Sequence, residues 1–435
     1  MRADGGNRLA TTIAALLLAL PVAAQAGARL GDIPALARAR NERLRPKMEA
    51  SLKPYLADLA MDYGLASNRA YLNRRLVEVA ALGDSIVPLL LEKLQPAEGT
   101  SDELNTAANA ARVLEKLGPS GFVQPLIDLA RSENAIARAH AIPLLGASGH
   151  VEAARFLENS LTGLPKSHQA AAVRALAMLG RRDAGAKVAE LLDTTSMSLR
   201  GACLAFLDQL GGPAHKKAVL AALRNESQDD LFPLYLAYLH HHVPEDADAA
   251  AVLLGLLDSG RLIPPRRTDV VRALATVAPK GHDATCAKLK ATIASGELSA
   301  LGRACATTMM SLGDKTGRKE LFDGLDADVR KSPRVPIVLA NRGQAQFEFE
   351  NWNDAIRDFK EALRLARSSN AKREFSLWIA RAYVHQGQAR RAAAALREGS
   401  VNRIEIEDAA SHDPAFKDAL AENSDLKALM RDLGR

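Results

Sequence analysis

Apolar residues recur at helical spacing along most of this 435-residue chain, and each apolar run ends at a Leu-Gly or similar motif. Four of the closing glycines follow one another at steps of 31 residues: Gly118, Gly149, Gly180 and Gly211. Gly83 precedes this series and Gly313 follows it, while Val243 and Ala278 stand at the same place in two units that lack the glycine. A nearly fixed step of this length indicates a repeat protein.

Two apolar columns stand at constant distances from these landmark residues. The first column lies four residues before each landmark, at Val79, Leu114, Leu145, Leu176, Leu207, Leu239, Leu274 and Met309. The second lies three residues further back, at Ala111, Ile142, Val173, Leu204, Leu236, Val271 and Ala306. Positions three or four apart share one helix face, so the columns predict a buried stripe on a helix that ends at the landmark.

A further apolar stripe begins eight residues after the landmark, at Leu126, Leu157, Val188 and Val219. Each unit is therefore predicted to be two antiparallel helices joined by a tight turn, where glycine adopts the left-handed conformation without steric cost. The chain is 48% hydrophobic but only 4% aromatic. A core of Ala, Leu, Val and Ile suits closely packed helices better than large sheets, so the predicted fold class is all-α.

The first helix of the units has a recurrent motif, as in residues 138–146 (RAHAIPLLG) and 199–204 (LRGACL). This pattern resembles HEAT repeats of the short bacterial type, and Arg138 and Arg200 match the basic residue that this family carries early in the helix. The other units have Ala107, Gln169, Phe232, Arg267 and Gly302 at this position, so the basic ladder is incomplete. The resemblance covers residues 70–328 as eight units and implies an α-α superhelix, or solenoid.

A different repeat follows a predicted linker at residues 329–336. Its first copy has Gly343, Phe347, Trp352, Ala355, Phe359 and Ala362, and a second copy 37 residues on has Ala380, Tyr383, Gly387, Ala392 and Leu396. These spacings resemble two tetratricopeptide repeats over residues 337–402. Helices that cap the array are expected at residues 27–69 and 403–435. Two such repeats are fewer than usually stand alone, so we expect them to pack on the last HEAT-like unit.

The first 26 residues have the three parts of a secretory signal. A basic start precedes an apolar stretch from Leu9 to Ala24, and Ala24-Gln25-Ala26 then offers the small residues that signal peptidase reads. We predict cleavage after Ala26 and a periplasmic or secreted protein. The stretch is shorter than the ~20 residues that span a bilayer, so no transmembrane segment is expected in the mature chain. Outside the cytoplasm, the net charge of +6 favours acidic proteins or anionic envelope surfaces as partners over nucleic acid.

Few residues in the sequence offer catalytic or metal chemistry. Cys203 and Cys305 fall in an alanine-rich column and Cys286 in the second stripe, which is typical of small core residues. A Cys286–Cys305 disulfide between neighbouring helices stays open as an alternative. His240, His241 and His242 spread over roughly 200° of a helix, so they do not converge on one ion. The sequence therefore predicts no catalytic residue, no metal site and no cofactor.

The tetratricopeptide resemblance places four residues toward a binding groove: Gln344, Phe347, Arg381 and His385. They are the candidate protein-binding residues, although the Lys/Asn pattern that clamps a peptide carboxylate in some members of that family is not matched. The sequence favours an exported, non-catalytic protein-binding scaffold or adaptor. Two alternatives stay open. One is a cofactor-attachment enzyme similar to the HEAT-like bilin lyases, and the other is a structural envelope component that associates with itself.

If residues 1–26 are removed during export, the protein recovered from the cell envelope begins at Gly27. Intact-mass measurement checks this start. Ala26→Phe should leave the leader attached, because signal peptidase requires a small residue there, whereas Gln25→Phe alters a position that is not read and should be cleaved normally. Normal processing of both variants, or retention of the unprocessed protein inside the cell, would contradict the prediction.

Overall fold

The computed structural model describes residues 33–296 and 300–433, and every regular element in these ranges is a helix. The all-α fold class is therefore confirmed for the described part of the chain. The predicted export signal at residues 1–26 lies outside the described residues. The chain divides into two units, between Gly211 and Gly212.

The first unit is a succession of short helices whose starts are set by capping side chains. Its α-helices are α1 (Ile33–Leu52), α2 (Leu56–Leu59), α3 (Ala66–Ala80), α4 (Val87–Lys93), α5 (Ser101–Leu117), α6 (Val123–Arg131), α7 (Ala135–Ala147), α8 (Val151–Ser160), α9 (Lys166–Met178), α10 (Gly185–Glu190) and α11 (Met197–Phe206). Thr100 and Glu103 form a capping box before α5, in which each side chain accepts a hydrogen bond from the other's amide. Asn134 and Ser196 cap α7 and α11. These bonds satisfy amides that a helix start leaves without partners.

The helices of the first unit pack in the order of the sequence. In one row, formed by α3, α5, α7, α9 and α11, each helix contacts the next. The helices between them pack against this row, and α6 also contacts α8. Each helix of the row therefore packs mainly against helices that are close to it in the sequence.

The predicted apolar columns form the core of both units. All residues of the column four before the landmark are 0% exposed, and so are Leu126, Leu157, Val188 and Val219 of the second stripe. In the column seven before the landmark, Ala111 and Leu236 are half-buried and the other residues are buried. The prediction of a buried stripe on each first helix is confirmed.

Glycine at the landmark adopts a left-handed backbone in most units. The φ angles of Gly118, Gly149 and Gly180 are 83°, 66° and 65°, in a region that side chains with a Cβ rarely occupy. In the two units that lack this glycine, the left-handed residue comes later, at Glu245 (φ 55°) and Gly281 (φ 68°). The amide of Gly281 donates to the carbonyl of Leu312 at 2.8 Å, so this turn is held by the following helix pair.

The landmark predicted at Gly211 is wrong by one residue. Helix α11 continues into a π-helical turn, Leu207–Gly211, and it is Gly212 that has a positive φ of 64°. A π turn holds more residues than an α turn. The buried Leu207 therefore stands five residues before the left-handed glycine instead of four.

The second unit contains the remaining helices. They are α12 (Lys216–Arg224), α13 (Phe232–His242), α14 (Ala247–Asp258), α15 (Pro264–Val277), α16 (Asp283–Ala294), α17 (Ala300–Ser311), α18 (Thr316–Lys331), α19 (Pro336–Glu348), α20 (Trp352–Leu365), α21 (Ser369–His385), α22 (Ala389–Glu398), α23 (Arg403–Ser411), α24 (Pro414–Glu422) and α25 (Ser424–Asp432). One row is formed by α13, α15 and α17, and another by α12, α14, α16 and α18. From α18 to α22 each helix packs on the next, while α24 packs on α21 and α25 on α22.

The helices of both predicted repeat types contribute to this unit. The predicted linker at 329–336 is shortened to Ser332–Val335, because α18 extends through its first residues. Arg342 on α19 binds both carboxylate oxygens of Asp358 on α20, at 2.7 and 2.8 Å, and Asp326 on α18 at 2.9 Å. These hydrogen bonds, that of Asp358 foremost, raise the pKa of Arg342. These bonds join α19 to both α18 and α20.

Cys203, Cys286 and Cys305 are buried, and no disulfide joins any of them in the described part of the chain. Burial raises the pKa of the Cys203 thiol to about 12 and also raises the pKa of Cys286. The Cys286–Cys305 disulfide is not formed in this structure. All three side chains occupy the core as small apolar residues, and thiols that are buried in this way are unreactive.

Close helix packing at Gly146 provides a test of the fold. A Cβ built on Gly146 of α7 would lie 2.7 Å from the Cα and 2.8 Å from the Cβ of Ala175 on α9. Gly146→Ala should lower the free energy of unfolding by about 1–3 kcal/mol, because the two helices must move apart. Gly255 in α14 has nothing within 4 Å of an added Cβ, so Gly255→Ala should raise it by about 0.5–1 kcal/mol. Denaturant unfolding measures both, and effects of the same sign would contradict this packing.

Candidate functional site

Two helices of the second unit carry the four predicted protein-binding residues. Gln344 and Phe347 lie three residues apart on α19, and Arg381 and His385 lie four apart on α21. Each pair therefore shares one face of its helix. Phe347 is 8% exposed, and the other three side chains are half-buried.

Arg381 and His385 converge on the carboxylate of Asp413. The Nε of Arg381 donates to Oδ2 of Asp413 at 2.9 Å, and Nε2 of His385 lies 3.2 Å from both carboxylate oxygens. Asp413 directly precedes α24, and its Oδ1 accepts a hydrogen bond from the amide of Phe416, which caps this helix. The side chains of Arg381 and Asp413 are 15% and 4% exposed, so most water is excluded from the ion pair.

Aromatic rings surround the same ion pair. Phe347 meets Trp352, Trp378 and His385 edge to face, with ring centroids 4.8, 5.2 and 5.2 Å apart. His385 also stacks on Trp352 at 4.5 Å. The guanidinium of Arg381 lies over Trp378 and Phe347, at 4.3 and 4.9 Å from the ring centroids. These rings attract the cation and shield it from solvent.

The surroundings of Asp413 favour its charged form. Burial acts against the charge, but the hydrogen bonds from Arg381 and from the Phe416 amide, together with the positive neighbours, outweigh it. The pKa of Asp413 is therefore below its ordinary value. The charge of Arg381 is thus used inside the protein, to hold α24 on α21.

The structure therefore brings three of the four predicted residues together, namely Phe347, Arg381 and His385. Gln344 lies about one turn before Phe347 on α19 and is not among the side chains that bind Asp413. The start of α24 covers the cluster. That these four residues bind another protein stays a prediction.

A cleft of about 720 Å³ lies between α20, α21 and α22, and sequence reasoning missed it. Lys360, Arg364 and Arg391 line it together with Tyr383 and Ile379. We call it the basic cleft. The spacing of Lys360 and Arg364, four residues apart, indicates a shared helix face. The sequence held no signal that would place Arg391 of α22 in the same cleft.

An adjoining cleft of about 450 Å³ extends the basic cleft. The two share Leu363, Arg364 and Glu398, and the second adds Lys372 and Arg373. The segment that contains α20, α21 and α22 is also rich in basic residues. Residues 351–400 contain ten Lys and Arg against five Asp and Glu, a net charge of +5, compared with +6 for all 435 residues.

The three consecutive histidines end helix α13, as predicted. The rings of His240 and His241 lie 5.4 Å apart, and those of His241 and His242 lie 6.2 Å apart. Within residues 33–296 and 300–433, no three His, Cys, Asp or Glu side chains are grouped so that they could hold a metal ion. Nor does this part of the chain contain a helix that is long and apolar enough to cross a membrane.

The sequence matches no protein-family model, and no curated protein matches it. The function is therefore argued from the geometry of the described residues.

Asp413→Asn tests the ion pair that holds α24. The variant should lower the free energy of unfolding by about 2 kcal/mol near neutral pH, because Arg381 loses its carboxylate where little water replaces it. Asparagine still caps the helix. Since the pKa of Asp413 is lower in the folded state, the wild-type advantage is present above the unfolded pKa of about 3.9. It is lost as pH falls through the folded value. Denaturant unfolding over a pH series measures this.

Glu407→Gln is the matched control. It breaks an ion pair with Arg403 in which both side chains are 52% exposed, and exposed pairs contribute little to stability. A loss of stability as large as that of Asp413→Asn would contradict the role assigned to the buried pair.

Proposed function

We propose that this chain is an exported, non-catalytic scaffold that binds other proteins on the surface of an α-solenoid. In this proposal, residues 70–328 form HEAT-like hairpins and residues 337–402 form two tetratricopeptide-like repeats. The helices within 27–69 and 403–435 close the two ends of the array.

The observation that carries the proposal is the ordered packing of the helices within each unit. One row consists of α3, α5, α7, α9 and α11, and another of α13, α15 and α17. In both rows, each helix contacts the next. In repeat proteins such a row presents one helix per repeat on a continuous surface, and this surface is what binds an extended partner. The constant burial of the first apolar column supports the same interpretation, because every repeat contributes the same core position.

Open clefts along the rows support a binding surface. In the first unit, a cleft of about 290 Å³ is lined by residues of three consecutive helices of the row, among them Arg112 of α5, His140 of α7 and Met178 of α9. Met178 is 63% exposed. An exposed apolar side chain at the rim of a cleft is typical of a surface that a partner covers. The second unit adds the basic cleft.

Export is part of the proposed function because the compartment determines which partner proteins the chain can meet. The predicted signal at residues 1–26 would place the protein in the periplasm or outside the cell, among other exported proteins. The net positive charge then favours an acidic protein surface as the partner over nucleic acid.

Site-specific photocross-linking in intact cells tests the proposed function. A benzoylphenylalanine is placed at Met178, at Ala394 in the wall of the basic cleft, or at the exposed control position Glu407. We expect a discrete cross-linked protein from Met178 or Ala394 that is absent from Glu407. Identical adducts from all three positions, or none from the two clefts, would contradict a scaffold that uses these surfaces.

A further inference from the structure

Two of the three cations that line the basic cleft, Lys360 and Arg391, are not neutralised by carboxylates of the described residues. The Nζ of Lys360 lies 5.5 Å and the guanidinium carbon of Arg391 lies 5.9 Å from the ring centroid of Tyr383. Arg391 also donates to the side-chain oxygen of Gln388 at 2.8 Å. In the part of the chain that the structure describes, neither Lys360 nor Arg391 has a carboxylate partner. Both cations therefore remain available to an anionic ligand.

The other lining residues leave an excess of positive charge. Arg364 is paired with Glu361 through bonds of 2.6 and 2.8 Å, and Arg373 with Glu405 at 3.0 Å. Glu398 is the single acid among the residues that line the basic cleft and its extension, against five cations. Exposed pairs of this kind exchange readily with solvent and with competing carboxylates.

The floor of the cleft is apolar and contains one unused hydroxyl. Ile379 is 3% exposed, and Ala394 and Ala395 line the same wall. Ser376 is 1% exposed, and its Oγ has no hydrogen-bond partner among the described residues. Buried polar groups are almost always hydrogen-bonded. The Ser376 hydroxyl, which lines the cleft, therefore points to a ligand with an acceptor oxygen.

The dimensions of the cleft suit a short stretch of extended chain. Arg391 and Glu398 are seven residues apart on α22, which corresponds to about 10 Å along a helix axis. About three residues of extended polypeptide span this distance. The extension toward Lys372 and Arg373 lengthens the path along the same helices.

We propose that the basic cleft binds an acidic segment of a partner protein. Its carboxylates contact Lys360, Arg364 and Arg391, and an apolar side chain between them contacts Ile379. This inference rests on the proposed protein-binding function and names the chemistry of the partner. An extended peptide points successive side chains in opposite directions, so one segment presents acids to the rim and an apolar residue to the floor. A membrane surface presents its charge as a plane and does not reach a recessed apolar floor.

Two double variants of the full mature chain remove the same charge from different places. Lys360→Gln with Arg391→Gln removes two cations of the basic cleft. Arg357→Gln with Arg390→Gln removes two exposed cations of the same helices that do not line it. The unfolding midpoint of each double variant is measured first, so that a change in binding is not confused with a loss of folding.

The probe is a fluorescein-labelled peptide of glutamate, leucine and glycine, titrated by fluorescence anisotropy. We expect the wild type and the Arg357/Arg390 variant to bind equally, and the Lys360/Arg391 variant to bind about tenfold more weakly. Binding should weaken as salt is raised, because exposed charges are screened. Equal affinities of the two double variants overturn the inference. So does binding to vesicles of phosphatidylglycerol and phosphatidylcholine without binding to the acidic peptide, or equal binding of a peptide with lysine in place of glutamate.

Cross-linking of the Lys360/Arg391 variant separates the acidic-segment inference from the proposed scaffold function. If the protein that cross-links to Ala394 is captured with unchanged yield by the Lys360/Arg391 variant, the scaffold function stands and the acidic-segment inference is overturned. If neither cleft position captures a discrete protein, the proposed function itself fails.

Discussion

An isolated helix of fewer than about 12–15 residues is marginal in water, and α4 and α10 of this chain are only seven and six residues long. Such helices gain their stability by burying an apolar stripe against the helices before and after them. The column from Val79 to Met309, which is 0% exposed at every position, is where this burial is most complete. Within each unit, the stability of one helix therefore depends on the presence of the next. A substitution such as Gly146→Ala acts on α7 and α9 together, because neither helix holds its position without the other.

Much of the core was predictable from the sequence because apolar residues recur at helical spacing, and positions three or four apart share one helix face. Recurrent apolar columns therefore identified buried residues such as Leu114 and Leu176. The boundaries were less predictable. The sequence around Gly211 gives no sign that a π-helical turn moves the left-handed glycine to Gly212, because the turn depends on how the helix end packs. Helix α18 likewise extends into the predicted linker, since its continuation is favoured by packing against α19. Whether the helices belong to the HEAT and tetratricopeptide families stays a prediction.

At the candidate site, residues that are close in the sequence were predictable, whereas contacts between distant residues were not. The tetratricopeptide resemblance placed Arg381 and His385 toward one surface, but nothing in the sequence indicated that Asp413, 32 residues after Arg381, would bind both. Two of the predicted groove residues, Arg381 and His385, are therefore engaged by Asp413, directly before α24. The basic cleft was missed for a related reason: it combines one helix face, Lys360 with Arg364, with a residue from another helix, Arg391. Local spacing finds the first part, and only the packing of α20, α21 and α22 supplies the second.

The π-helical turn at Leu207–Gly211 also bears on how such an array tolerates change in length. One additional residue in an α-helix rotates everything after it by about 100°, which would turn an apolar stripe toward solvent. Here the π-helical turn accommodates the additional residue. Leu207 in this turn and Leu239 on α13 are both fully buried. A one-residue insertion near the end of such a helix therefore lengthens the segment without turning its buried face toward solvent.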